Sequence, residues 1–229
     1  MTVLHLADEG EAADLAAFLS RLIHYDRSAA VRLQGAGTAL AVFGRPPSFE
    51  VLAVRAVRLA KPYENGLDVT LDVTVSAGEL LESVDERAVT ARVPGAVTGP
   101  PWAGVLPPRG GWRAEPGLPA PDALRALVAA AVGEFRARTE ELAAQDRTRT
   151  ELDRIGRDIW SRTVGDTGLP VRAVHAAQSL GFLRRPAAPG SGEDAPRLFS
   201  SGAWLRLRTP FGSVARRRAG TGALGISVR

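Results

Sequence analysis

The chain has 229 residues, a formal net charge of +4, 45% hydrophobic side chains and no cysteine. That length and apolar content can bury one large core or two small ones, while the missing cysteines exclude disulfides, cysteine-ligated zinc, iron–sulfur clusters and thiol nucleophiles. The charge is uneven: residues 195–229 hold seven arginines and no acid, whereas residues 1–194 hold 22 basic and 25 acidic side chains.

The N-terminus has neither a basic lead nor a long apolar run, so no signal peptide or membrane span is expected and the cytoplasm is the expected location. After Asp8, a plausible N-cap, Leu15, Phe18, Leu19, Leu22 and Ile23 recur at helical spacing. Residues 30–43 read as a hairpin turning at Gly35-Ala36-Gly37, and residues 50–59 as a longer strand. The sharpest alternation is at residues 67–75, where Leu67, Val69, Leu71, Val73 and Val75 take one face and Asp68, Thr70, Asp72 and Thr74 the other. Ser76 with Glu79 has the spacing of a capping box for a short helix to Val84, and residues 88–93 suit a last strand. Residues 1–93 therefore read as a helix packed on an antiparallel sheet.

Residues 94–121 hold eight of the sixteen prolines and six glycines, the composition of a connector. Its Trp102 and Trp112 could dock a partner as an extended segment, or hold the connector against the protein's own surface. Residues 122–229 begin with two helical stripes. The first carries Leu124, Leu127, Val128, Ala131, Val132, Phe135 and Leu142, and the second turns Leu152, Ile155, Ile159, Trp160 and Thr163 inward. On the second, Asp153 stands four residues before Arg157 and Asp158 four before Arg162, spacing that braces a helix surface. Pro170 is placed to open a third helix running to Leu180. Overall the fold class is α+β, ending in helices and a β-hairpin.

The succession of helix, helix, turn and third helix, closed by Ser179-Leu180-Gly181-Phe182-Leu183-Arg184-Arg185, resembles the core of a winged helix-turn-helix domain over residues 122–218. The resemblance implies a recognition helix at residues 171–180 and a wing at residues 184–218, with strand 204–208, turn 209–212 and return 213–217. It implies DNA readout by Arg172, His175 and Gln178, and phosphate contacts from Arg184, Arg185, Arg206, Arg208, Arg216, Arg217 and Arg218. The long Pro/Gly/Ser-rich loop at residues 186–196 departs from that pattern.

Clustered guanidinium groups attract phosphates, so the basic end by itself points to a polyanion such as nucleic acid or an anionic membrane surface, with a solubilising tail as the alternative. Arginine is abundant throughout and Lys61 is the only lysine, a bias resembling that of chains from GC-rich genomes; such drift does not explain the loss of acids after Asp194.

No catalytic constellation is recognisable. Gly220-Thr-Gly222-Ala-Leu-Gly225 has dinucleotide-fingerprint spacing without a following helix, and Lys61 lies outside any glycine-rich loop. His5, His24 and His175 have no metal-ligand spacing, and His24 with Asp26 lacks a nucleophile. No cofactor is expected. The reading is a DNA-binding regulator or chromosome-associated protein whose N-terminal sheet serves homodimerisation or partner contact, and the alternative is an adaptor whose basic end binds an acidic protein.

Overall fold

The structure, a computed structural model, describes residues 2–60, 71–100, 102, 106–185 and 195–218. It is α+β, as the patterning predicts. Helix α1 spans Glu9–Tyr25, and the Asp8 carboxylate caps it by accepting the Glu11 N–H at 2.8 Å. Its stripe of Ala12, Leu15, Phe18, Leu19 and Leu22 is buried. The hairpin forms as β2 (Ala30–Ala36) and β3 (Ala39–Gly44), followed by a single 3-10 turn at Pro47–Phe49 and by β4 (Leu52–Arg58).

The alternating segment supplies β5 (Asp72–Ser76), paired antiparallel with β2; its residues 67–70, Asp68 among them, lie outside the described residues. The Ser76 hydroxyl accepts the Glu79 N–H and opens α2 (Ala77–Glu82). The strand expected at residues 88–93 is β7 (Thr90–Arg92), and it does not join the main sheet. With β1 (Val3–His5) and β6 (Val84–Asp85) it makes a separate sheet of three strands in the order β1-β7-β6.

Three further helices follow: α3 (Pro121–Glu140), α4 (Arg149–Ser161) and α5 (Val171–Ser179), the last opened by Pro170 as expected. Two details of α4 differ from the pattern. Thr163 falls beyond the helix end and is exposed, and Asp153 lies 3.9 Å from Arg149 rather than serving Arg157; the Asp158–Arg162 pair forms at 3.3 Å.

The C-terminal hairpin is the largest departure from a free wing. Strands β9 (Arg197–Ser201), β10 (Trp204–Thr209) and β11 (Gly212–Arg217) form an antiparallel meander. β11 then pairs with β4, Val214 opposite Ala53. With β8 (Arg113–Glu115) at the far edge, the result is one eight-stranded sheet of order β5-β2-β3-β4-β11-β10-β9-β8. Residues from both ends of the chain thus share a single sheet, and its central hydrogen-bonded junction is β4 with β11.

Period 2 decides what each face of that sheet carries. Val31, Leu33, Leu40, Val42, Ala53, Val57, Leu205, Leu207 and Val214 are buried in one cluster with the apolar stripes of α1, α2, α3, α4 and α5. The opposite face is crossed by the Pro/Gly-rich connector. There Trp102 is buried against Phe43, Leu52 and Val54, and its indole N–H donates to the Thr74 hydroxyl at 3.0 Å. The Trp112 indole N–H is taken by the connector's own Pro108 carbonyl at 3.1 Å. Trp102 thus holds the connector onto the sheet, whereas the Trp112 hydrogen bond lies within the connector itself. No helix among the described residues is long and apolar enough to cross a membrane.

Candidate functional site

On the connector-side face, β9 and β10 expose what the helix-side face excludes. Leu198, Leu205 and Leu207 point to the core, so Arg197, Phe199, Arg206 and Arg208 must point the other way. Register then sets two cations directly across from each other: Arg208 is the cross-strand partner of Arg197, and Arg206 lies next along β10, opposite Phe199. Like charges facing across a strand pair repel. No acid occurs in β9, β10 or β11 to relieve them.

The three guanidinium groups line a cavity of about 330 Å³ together with the Ser213 and Thr209 hydroxyls. Arg206 is the half-buried one of the three. Its Nε donates to the Ser213 Oγ at 3.0 Å and its guanidinium carbon stands 5.7 Å from the centre of the Trp112 ring. Burial pushes the Arg206 guanidinium below its ordinary pKa, and the neighbouring charge of Arg208 pushes in the same direction. An arginine in that state stays protonated at neutral pH and gains most from an anion that replaces its lost hydration. Arg197 and Arg208 have no carboxylate partner among the described residues.

The remaining expected DNA contacts are dispersed. On α5, Arg172 is an internal residue: it ion-pairs with Glu50, and its Nε reaches the Trp160 carbonyl at 3.4 Å. The His175 ring stacks on Trp160 with centroids 4.6 Å apart and meets Phe49 edge-on at 5.1 Å. Gln178 alone of the three is exposed. Arg184 bridges both oxygens of Asp14 at 2.6 Å and lies 3.8 Å over the Phe211 ring, and Arg185 pairs with Asp122 at 2.9 Å. Arg216 and Arg217 sit at the other end of the hairpin from Thr209, about 14 and 17 Å away by strand rise, and Arg218 is 3.9 Å from Glu115. Of the ten, only Arg206 and Arg208 share the cavity. The third member, Arg197, was hidden in sequence because the preceding loop obscured β9; the alternation Arg197-Leu198-Phe199 was its one signal.

His175 yields a prediction about pH. Burial among Trp160 and Phe49 lowers its pKa from the usual value of about 6.5. The unfolded chain therefore takes up this proton first as pH falls, and stability that is intact above about pH 6.5 is lost on acidification. In urea titrations, the parent protein should weaken more steeply between about pH 7 and pH 5 than His175→Phe does. Parallel profiles would show that the ring is not held neutral.

Among the described residues, no group of three or more histidines and carboxylates could hold a metal ion. Comparisons with curated proteins and with solved structures found no match. Two family models do match, and they meet inside the Pro/Gly-rich connector: residues 1–104 match the domain of unknown function DUF8010. The chain belongs to the family described as domain of unknown function DUF8185, whose model covers residues 107–221.

Proposed function

We propose that this is a cytoplasmic DNA-binding protein, regulatory or chromosome-associated, that grips the phosphate backbone through Arg197, Arg206 and Arg208. The observation that carries the reading is the cross-strand pair Arg197–Arg208 beside the half-buried Arg206, with no acid on the three strands. Such a cluster costs the free protein repulsion and desolvation, both relieved by a phosphate. Because Arg172 and His175 are engaged inside the fold, the contacts belong to the hairpin face, and binding of this kind positions the protein without reading sequence.

Fluorescence anisotropy with a random-sequence duplex tests the proposal. Each phosphate neutralised adds about 0.9 to the slope of log affinity against log salt, so three contacts give a slope of about −2.7. The double variant Arg206→Gln, Arg208→Gln should lower affinity at about 50 mM salt and reduce the slope to about −0.9. No binding by the parent, or equal slopes in parent and variant, would overturn the assignment.

A further inference from the structure

The other end of the hairpin faces a separate cleft of about 770 Å³, a volume suited to a small organic ligand. It lies between the loop after α1, the segment around Arg45 to Leu52, and the last residues of β11. Its walls differ in kind. Pro46, Leu52 and the Trp204 ring are apolar, whereas Arg45, Arg216 and Arg217 bring three cations.

Two acids also line the cleft, and both are already engaged. The Asp26 Oδ1 accepts from the Ser28 N–H at 2.9 Å and from its hydroxyl at 2.6 Å. Glu50 is gripped by Arg172 from behind. Its backbone is left-handed, at φ 52° and ψ 36°, a strained conformation for a non-glycine residue that sets this carboxylate between two arginines. Arg216, with its side chain only 27% exposed, approaches the same carboxylate no closer than 3.9 Å, beyond hydrogen-bonding range. Burial and the charge of Arg172 both push its guanidinium below the ordinary pKa, against the pull of Glu50. Arg45 and Arg217 are exposed and have no ion-pair partner among the described residues. The cleft is thus cationic in excess, and its deepest cation lacks a close counter-charge. Trp204 is half-buried and lines the cleft, and no aromatic or cationic group packs on its ring among the described residues.

We propose that this cleft binds a nucleoside monophosphate, its phosphate held at the end of β11 between Arg216 on the helix side and Arg217 on the connector side, and its base laid against Trp204, the cross-strand partner of Arg217. Arginine forks match phosphate oxygens in bidentate geometry. A base stacked on an aromatic ring gains affinity that inorganic phosphate cannot collect. The inference does not rest on the DNA-binding reading, because none of the three arginines of the other cavity takes part.

Isothermal titration of the full chain with AMP, adenosine and inorganic phosphate is the test. AMP should bind saturably, and adenosine and inorganic phosphate at least about tenfold more weakly. Arg216→Gln should weaken AMP about tenfold or more, the loss expected for a hydrogen bond to a charged group. Arg217→Gln, at an exposed strand end where folding is not at stake, should weaken it in the same direction, and Trp204→Leu should weaken AMP while leaving inorganic phosphate unchanged. Arg136→Gln, on the exposed side of α3, controls for overall charge and should leave AMP binding as it was. The proposal falls if AMP gives no saturable heat, if inorganic phosphate binds as tightly as AMP, or if both arginine variants bind AMP like the parent.

Discussion

Glu11→Ala should unfold about 3–5 kcal/mol more easily than the parent protein, which places it among the most damaging single changes available in this chain. Glu11 lies in the first turn of α1, yet its carboxylate is almost wholly enclosed. One oxygen accepts from Arg55 at 2.9 Å and the other from Arg58 at 2.8 Å, both on β4. Arg55 is 5% exposed, so removing Glu11 leaves a buried guanidinium with Asp14 at 3.2 Å and the Phe211 carbonyl at 2.8 Å as its remaining partners. Its Nε already lacks a hydrogen-bond partner among the described residues. The penalty comes from leaving the buried Arg55 charge with Asp14 alone as its counter-charge, and from Arg58 losing the Glu11 carboxylate, rather than from the worth of one bond. Hence replacing the pair together, Glu11→Leu with Arg55→Met, should recover much of the loss. Urea unfolding midpoints at constant slope measure both effects. A shift below about 1 kcal/mol for Glu11→Ala would mean that the network behaves as an exposed one.

Gly212→Ala should destabilise the protein by about 3 kcal/mol, from two causes that can be separated. The residue begins β11 at φ 151°, where a side chain is strained. An added Cβ would also lie 2.5 Å from Cε1 and 2.6 Å from Cζ of Phe182. Phe182 cannot easily retreat, being 2% exposed and stacked on Phe18 of α1 at 5.6 Å. Adding Phe182→Leu to Gly212→Ala should remove the clash but not the backbone strain, so the double variant should be less destabilised than the sum of its two single changes. Strict additivity would count against the clash, and a loss within about 0.5 kcal/mol for Gly212→Ala would count against both causes.

What the sequence made legible was local. The Asp8 cap, the α1 stripe, the Ser76 cap and the opening of α5 at Pro170 each depend on residues within a few positions of one another, and each appears where the pattern puts it. In β10, too, the two faces follow from neighbouring residues, Leu205 and Leu207 on one and Arg206 and Arg208 on the other. What eluded the sequence was pairing across long separations. Nothing near Val214 announces that its cross-strand partner is Ala53, and a hairpin capable of standing alone as a wing became the middle of a sheet. The same limit applies to Arg172 and His175. Their helical spacing suits base readout as well as it suits packing, and only Glu50, Phe49 and Trp160, brought in from elsewhere in the chain, decide between the two.

The junction of β4 with β11 has a consequence for how the chain is made. About 160 residues separate the two strands, so during synthesis at some 5–20 residues per second β4 waits roughly ten seconds or more for its neighbour. Throughout that interval the nascent N-terminal half presents an unpaired strand edge carrying Leu52, Val54 and Val57, the kind of edge that recruits other chains. Completion of the sheet is therefore a late, post-emergence event with a high contact order, and slow folding or a need for chaperone protection is built into the order in which the strands appear.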